Sequence, residues 1–246
     1  MKFNTYWKIG GFLAGAVLIL FGVAAIVLGV RGGNTVSSSL NNEYIVGSPD
    51  MQPGAAINGE IAGVKAAQQK ILAAQKKANV PEAQQYTFTE VNAPSCSVAG
   101  KQVNTGSEAR CFAQYMRIHT LGASSGLTYA QMGRYQAKPD APVQMTDFNG
   151  GTNDPKYAVV DSVTSQPASN GARNIWVTET ALTNALNTSF FAEQVAMFGI
   201  VVGAALLLVG SGLAILAFMA FRWLPAKEAA DIAAAKASIG ATPQAT

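Results

Sequence analysis

Few residues in this chain are of kinds that do covalent or metal chemistry, and their spacing narrows the options further. There is one histidine, His119, and there are two cysteines, Cys96 and Cys111, among 246 residues. A non-haem iron oxygenase needs two histidines and a carboxylate, so one chain cannot assemble that centre. His119 falls on the apolar stripe of an expected helix, which favours a hydrogen-bonded structural histidine over a base or ligand. Gly122-Ala123-Ser124-Ser125-Gly126 spells the G-x-S-x-G nucleophile elbow. That motif needs a strand before the serine, a helix after it and a histidine later in the chain, whereas His119 lies upstream. The stretch Asp147–Asp154 is oxygen-rich like a calcium loop, yet it lacks the glycine at loop position six and the glutamate at position twelve. On these grounds no catalytic residue, metal ligand or cofactor is expected, and the chain reads as a non-enzyme.

The cysteines lack C-x-x-C spacing and companion ligands, so a structural disulfide is expected between Cys96 and Cys111. It would close a loop of about 15 residues, worth about 3 kcal/mol in the chain-entropy model. An oxidising compartment is where such a bridge persists.

Two runs free of charge, Ile9–Val30 and Val195–Phe221, each exceed the roughly 20 residues a spanning helix needs. Charged residues make up only 13% of the chain, against about 25% in soluble globular proteins. The expected layout is a cytoplasmic tail (1–8), a transmembrane helix (9–30), an extracytoplasmic domain (31–194), a second transmembrane helix (195–221) and a cytoplasmic tail (222–246). The first run is too long for the h-region of a cleaved signal, and no A-x-A-like site follows it. Lys2 and Lys8 precede the first run, and Arg222, Lys227 and Lys236 follow the second, which keeps both termini inside. Trp7 and Trp223 suit the interfacial positions at those ends. Between Gly32 and Phe190 basic and acidic residues are equal in number, so no basic patch for nucleic acid exists. The localisation expected is the cell membrane, multi-pass.

Small residues four apart (Gly11 and Gly15, Gly199 and Gly203, Gly210 and Ala214) would let helix backbones approach closely in lipid. They could join the two spans of one chain or join chains into a homo-oligomer. Neither run holds an ionisable residue, which speaks against an ion pathway.

Within the exported segment, Gly32–Ser39 reads as a polar linker. Ile57, Ile61, Val64, Ala67, Ile71 and Ala74 predict a helix to Lys77, and Tyr86–Val91 alternates like a short strand. Ser107 is the expected cap of a helix running to Leu121, with Phe112, Tyr115, Met116 and His119 on one stripe. Thr128 and Gln131 predict a short helix to about Tyr135, and Lys156–Thr164 a strand. Thr178 is the expected cap of a last helix, with Ala181, Leu182, Ala185 and Leu186 inward, running as one rod into the second span. Leu, Ile, Val and Phe make up under a fifth of Gly32–Phe190, so the core must be small. The fold class expected is a mainly α membrane protein: two transmembrane helices flanking a small α-rich (α+β) extracytoplasmic domain with one disulfide.

Three stretches carry a family resemblance: Tyr115–His119, Gly126–Arg134, and Trp176–Leu182 continuing through Ala185–Gln194 into the second span. They resemble a family of small actinobacterial two-span membrane proteins often labelled "aromatic ring-opening dioxygenase". The resemblance covers roughly Ala109–Phe221 and implies a two-span envelope protein. Ring-opening chemistry does not carry over, because its iron is held by several histidines. The expected function is a scaffold or accessory subunit of a membrane complex, with membrane lipids and an envelope protein as partners; Trp176, Tyr115 and Tyr129 are the candidate contacts, with core packing the favoured role for each. The alternative is a module binding a lipid or hydrophobic small molecule in a cavity near Phe190 and Phe191.

Overall fold

A computed structural model describes residues 2–88, 90–142 and 151–240. It is mainly helical: α1 (Lys2–Asn42), α2 (Ala55–Lys77), α3 (Gly106–Ala123), and α4 (Gly171–Gly240), with two short strands, β1 (Tyr135–Gln136) and β2 (Gly151–Thr152). The chain divides into two compact units, one made of residues 1–34 and 194–246, the other of residues 35–193.

In the first unit α1 and α4 are long and apolar enough to cross a membrane, and only 17% of each apolar window is buried. Phe12, Leu20, Leu28, Phe198, Leu208 and Leu216 are exposed, so these helices are not the covered core of a water-soluble fold. They pair antiparallel through small residues. A Cβ on Gly15 would lie 2.7 Å from the Gly210 carbonyl oxygen, one on Gly22 2.8 Å from that of Gly203, and one on Gly29 2.6 Å from that of Ala196. The tightest approaches therefore recur every seven residues, and of the expected four-residue pairs Gly210 and Ala214 both meet Gly15, the Ala214 nitrogen 3.1 Å from its Cβ position. A seven-residue repeat keeps one stripe of each helix facing its neighbour along the whole contact. Gly199 makes a looser, ordinary contact, its Cβ position 3.5 Å from the Ala25 carbonyl oxygen. The pairs join the two apolar runs of one chain.

The second unit begins inside α1. Gly32–Ser39 is helical rather than a linker, and Leu40 enters the core. α2 packs against α3, burying Ile57, Ile61, Val64 and Ile71, as their spacing required. Its stripe is completed by Gln68 and Gln75 instead of Ala67 and Ala74. The Gln68 amide donates to the Gly126 carbonyl at 3.0 Å, and the Gln75 oxygen accepts from the Tyr86 backbone N–H at 3.0 Å. That second bond explains why Tyr86–Val91 forms no strand among its described residues. Among the described residues no strand lies beside it, and its polar groups meet side chains, Gln131 donating to the Thr87 carbonyl.

α3 starts one residue before Ser107. Its cap is Thr105, whose hydroxyl accepts from the Glu108 N–H while the Glu108 carboxylate accepts from the Thr105 N–H. Ser107 donates instead to Glu193. The segment after Thr128 makes only one 3-10 turn, Tyr129–Gln131, before β1 pairs with β2. Lys156–Thr164 holds a 3-10 turn (Pro155–Tyr157) and isolated bridges rather than a strand. Thr178 lies within α4, which opens at Asn170, where the side-chain oxygen accepts from the Ala172 N–H. The buried face of α4 in this unit is Trp176, Glu179 and Leu186, whereas Ala181 and Ala185 are exposed.

Cys96 and Cys111 form the expected disulfide, fastening the irregular chain before α3 onto its second turn. Replacing both by serine should lower the melting temperature in detergent by the equivalent of about 3 kcal/mol. An unchanged melting point would remove the bridge from the account. In the helix pair, Gly22→Leu should lengthen and broaden the spin-label distance between positions 13 and 219. Gly212→Leu, where a Cβ meets nothing within 4 Å, should leave that distance alone.

Candidate functional site

Segment Ser48–Asp50 follows α1 and is held in place by its neighbour Met51, which is buried and accepts the Val98 N–H at 3.0 Å. Glu60 lies in the second turn of α2, and His119 lies near the end of α3. Because α2 packs on α3, the Glu60 carboxylate reaches the imidazole: Nδ1 and Oε2 are 2.8 Å apart. A Cβ at Gly122 would come within 2.8 Å of Glu60 Oε1, so the glycine admits the carboxylate to this face. On the other side of the ring, Nε2 lies 3.5 Å from Asp50 Oδ2. The three ligand-type atoms fall within 4.8 Å of one another, and the side chains are 25–34% exposed.

The electrostatics are as specific as the distances. The Ser48 hydroxyl donates to Asp50 Oδ1, and this bond is the main cause holding the carboxyl below its usual range; burial opposes it, and the nearby His119 lowers it further. Oδ2 is thereby left facing the ring. Two carboxylates thus flank one imidazole, in a set that suits a proton or a divalent cation. Sequence reasoning placed no ligand here. Residues 59 and 69 positions away from His119 carry no signal in a linear reading; they meet it because α2 and the Ser48–Asp50 segment fold against α3.

No protein-family model, curated protein or solved structure matches this chain.

The elbow-like serine is structural. Ser124 is fully buried, its hydroxyl donates to the Leu127 carbonyl at 2.6 Å, and the Trp176 indole N–H points at both, 3.1 Å from Ser124 Oγ and 2.8 Å from the Leu127 oxygen. A helix precedes it, as in no nucleophile elbow. Of the three candidate aromatics, Tyr115 (0% exposed) and Trp176 (4%) take the favoured core role and are not surface contacts. Tyr129 stays exposed, with the Arg173 guanidinium 4.0 Å over its ring. Of the calcium-like stretch, Asp147–Gly150 lie outside the described residues, and Asp154 caps the turn that follows.

Phe190 carries Arg110 over its ring at 4.7 Å. A cleft of about 290 Å³ is lined by Leu40, Ile45, Leu182, Ala185, Leu186 and Ser189, and neither Phe190 nor Phe191 is among its lining residues. A second, polar cleft of about 350 Å³ lies between α3 and α4, lined by Arg110, Arg117 and Glu179 among others.

Trp176→Phe keeps the ring volume nearly filled but leaves the Leu127 carbonyl without its indole donor. It should cost about 1–3 kcal/mol, read as a lowered thermal midpoint. Ser124→Ala should behave likewise on a smaller scale, through loss of its own bond to that carbonyl. A serine variant of unchanged stability would count against the structural assignment.

Proposed function

We propose that the chain is a two-span integral membrane protein of the cell envelope, with both termini cytoplasmic and its domain outside. In this reading the domain does no chemistry of its own and serves as a scaffold or accessory subunit of a membrane complex. The observation that carries it is the filled interior. Tyr115, Leu127, Val98 and Val103 are fully buried, and the serine of the elbow-like motif is spent on structural bonds. The disulfide supports an oxidising compartment for the domain, and the positive residues at the chain ends support cytoplasmic termini. The likeness to the two-span family belongs to the same proposal.

Surface features suited to a partner are Tyr129, 44% exposed, and Val163, 89% exposed at the tip of a turn organised by the Asp161 carboxylate. An apolar tip so far out in water gains by being covered. The lipid-binding alternative draws on the cleft lined by Leu40, Ile45, Leu182 and Leu186. At about 290 Å³ it sits at the lower edge of the roughly 300–1,000 Å³ typical of small-molecule sites, so it ranks second.

The test is purification from native membranes in mild detergent, with mass spectrometry of what co-elutes. A stoichiometric companion should survive washing, and Tyr129→Ala together with Val163→Asp should reduce it without lowering the melting temperature. A solitary particle would sink the scaffold reading. A lipid retained in defined ratio and lost on Leu186→Trp would transfer support to the alternative.

A further inference from the structure

We propose that Asp50, Glu60 and His119 form a binding site for a divalent transition-metal ion of the zinc type, with His119 Nε2 and the Asp50 carboxylate as direct ligands. Glu60 orients the ring by accepting the Nδ1–H, and water completes the coordination. The site lies wholly within the domain of residues 35–193 and does not depend on the membrane reading.

Two independent observations carry it. The first is the bond at 2.8 Å between Nδ1 and Glu60. Metal-ligating histidines almost always donate their second ring N–H to a carboxylate, carbonyl or water, which fixes the tautomer with a lone pair on the other nitrogen. The second is what that other nitrogen faces. Nε2 is buried and forms no hydrogen bond, while Asp50 Oδ2 stands 3.5 Å away. In that tautomer a nitrogen lone pair and a carboxylate oxygen point at one another, an arrangement that repels unless a cation lies between. Bonds of 2.0–2.2 Å from a tetrahedral ion put neighbouring ligand atoms roughly 3.3 Å apart, close to the spacing observed. The charges agree as well: a divalent ion with neutral imidazole balances two carboxylates. A nitrogen and oxygen donor set without thiolate suits zinc and its first-row neighbours better than a soft-metal site.

An ion there would tie three pieces of chain together, the segment after α1, α2 through Glu60, and α3. Its rival is an imidazolium bridging both carboxylates, which would bind no metal.

The experiment uses the full-length protein in detergent, stripped with chelator and titrated with zinc by calorimetry, with cobalt(II) as an absorbing probe. One zinc per chain is expected, raising the melting temperature, and X-ray absorption at the zinc edge should show one imidazole among oxygen donors. Asp50→Asn, which keeps an acceptor for Ser48, should weaken binding at least tenfold, and Glu60→Gln by about 10–100-fold. His119→Gln should abolish the imidazole signature. Glu82→Gln, a substitution at an exposed carboxylate elsewhere, should leave zinc binding unchanged. Circular dichroism checks that each variant keeps its helices, and Asp50→Asn decides the matter if the histidine variant does not fold. No saturable zinc binding by the wild type, or binding that survives Asp50→Asn unchanged, overturns the proposal.

Discussion

The indole N–H of Trp176 donates to the Leu127 carbonyl, and the organisation of the domain follows from where that carbonyl sits. Leu127 closes the reversal after α3, in which Ser125 and Gly126 both adopt left-handed backbone angles (φ 52° and 81°). Such a reversal turns carbonyls away from the helix that would have used them, and buried carbonyls must be paired. Trp176 supplies a donor from α4 and Gln68 supplies one from α2, reaching Gly126. Three helices thus meet on one short turn. Gly126 cannot readily be anything larger, because a Cβ there would lie 2.6 Å from the Gln68 side chain in addition to the strained φ.

The same device recurs wherever the domain lacks regular partners. Gln75 caps the Tyr86 N–H, Gln131 serves Thr87, Glu108 takes two N–H groups ahead of α3, and the Asn170 amide donates to the Gly133 carbonyl. With so few aliphatic side chains, burial alone offers little margin against chain entropy. Side-chain amides that satisfy backbone groups, and one disulfide that shortens the unfolded ensemble, make up the difference.

The paired apolar helices solve the opposite problem. In a lipid surrounding, which their length and composition would suit, attraction between them would come from close packing of backbone on backbone. Small residues at seven-residue intervals clear a continuous strip on each helix, and the bulky residues Phe12, Leu20, Phe198 and Leu208 turn outward. The domain and the helix pair therefore use their glycines differently: one for a turn, the other for a seam.

Much of the architecture was legible in the residue order. Charge-free runs long enough to cross a bilayer declare themselves by composition, and apolar spacing located α2 and α3 because helix periodicity is a local property. The cysteine pair needed only its solitude. The capping residue of α3, by contrast, was missed by two positions, because Thr105 and Ser107 are equally able caps and only the approach of Glu193 assigned Ser107 elsewhere. Tyr86–Val91 alternated like a strand, yet strands need a partner edge, and the fold offered it side chains. Gln68 and Gln75 were left out of the expected stripe of α2, because a sequence does not show which buried carbonyl or amide awaits them. The Asp50–Glu60–His119 cluster was invisible for the same reason. Its members are far apart along the chain, and proximity between distant side chains is created by helix packing, a property of the tertiary structure and not of any local stretch.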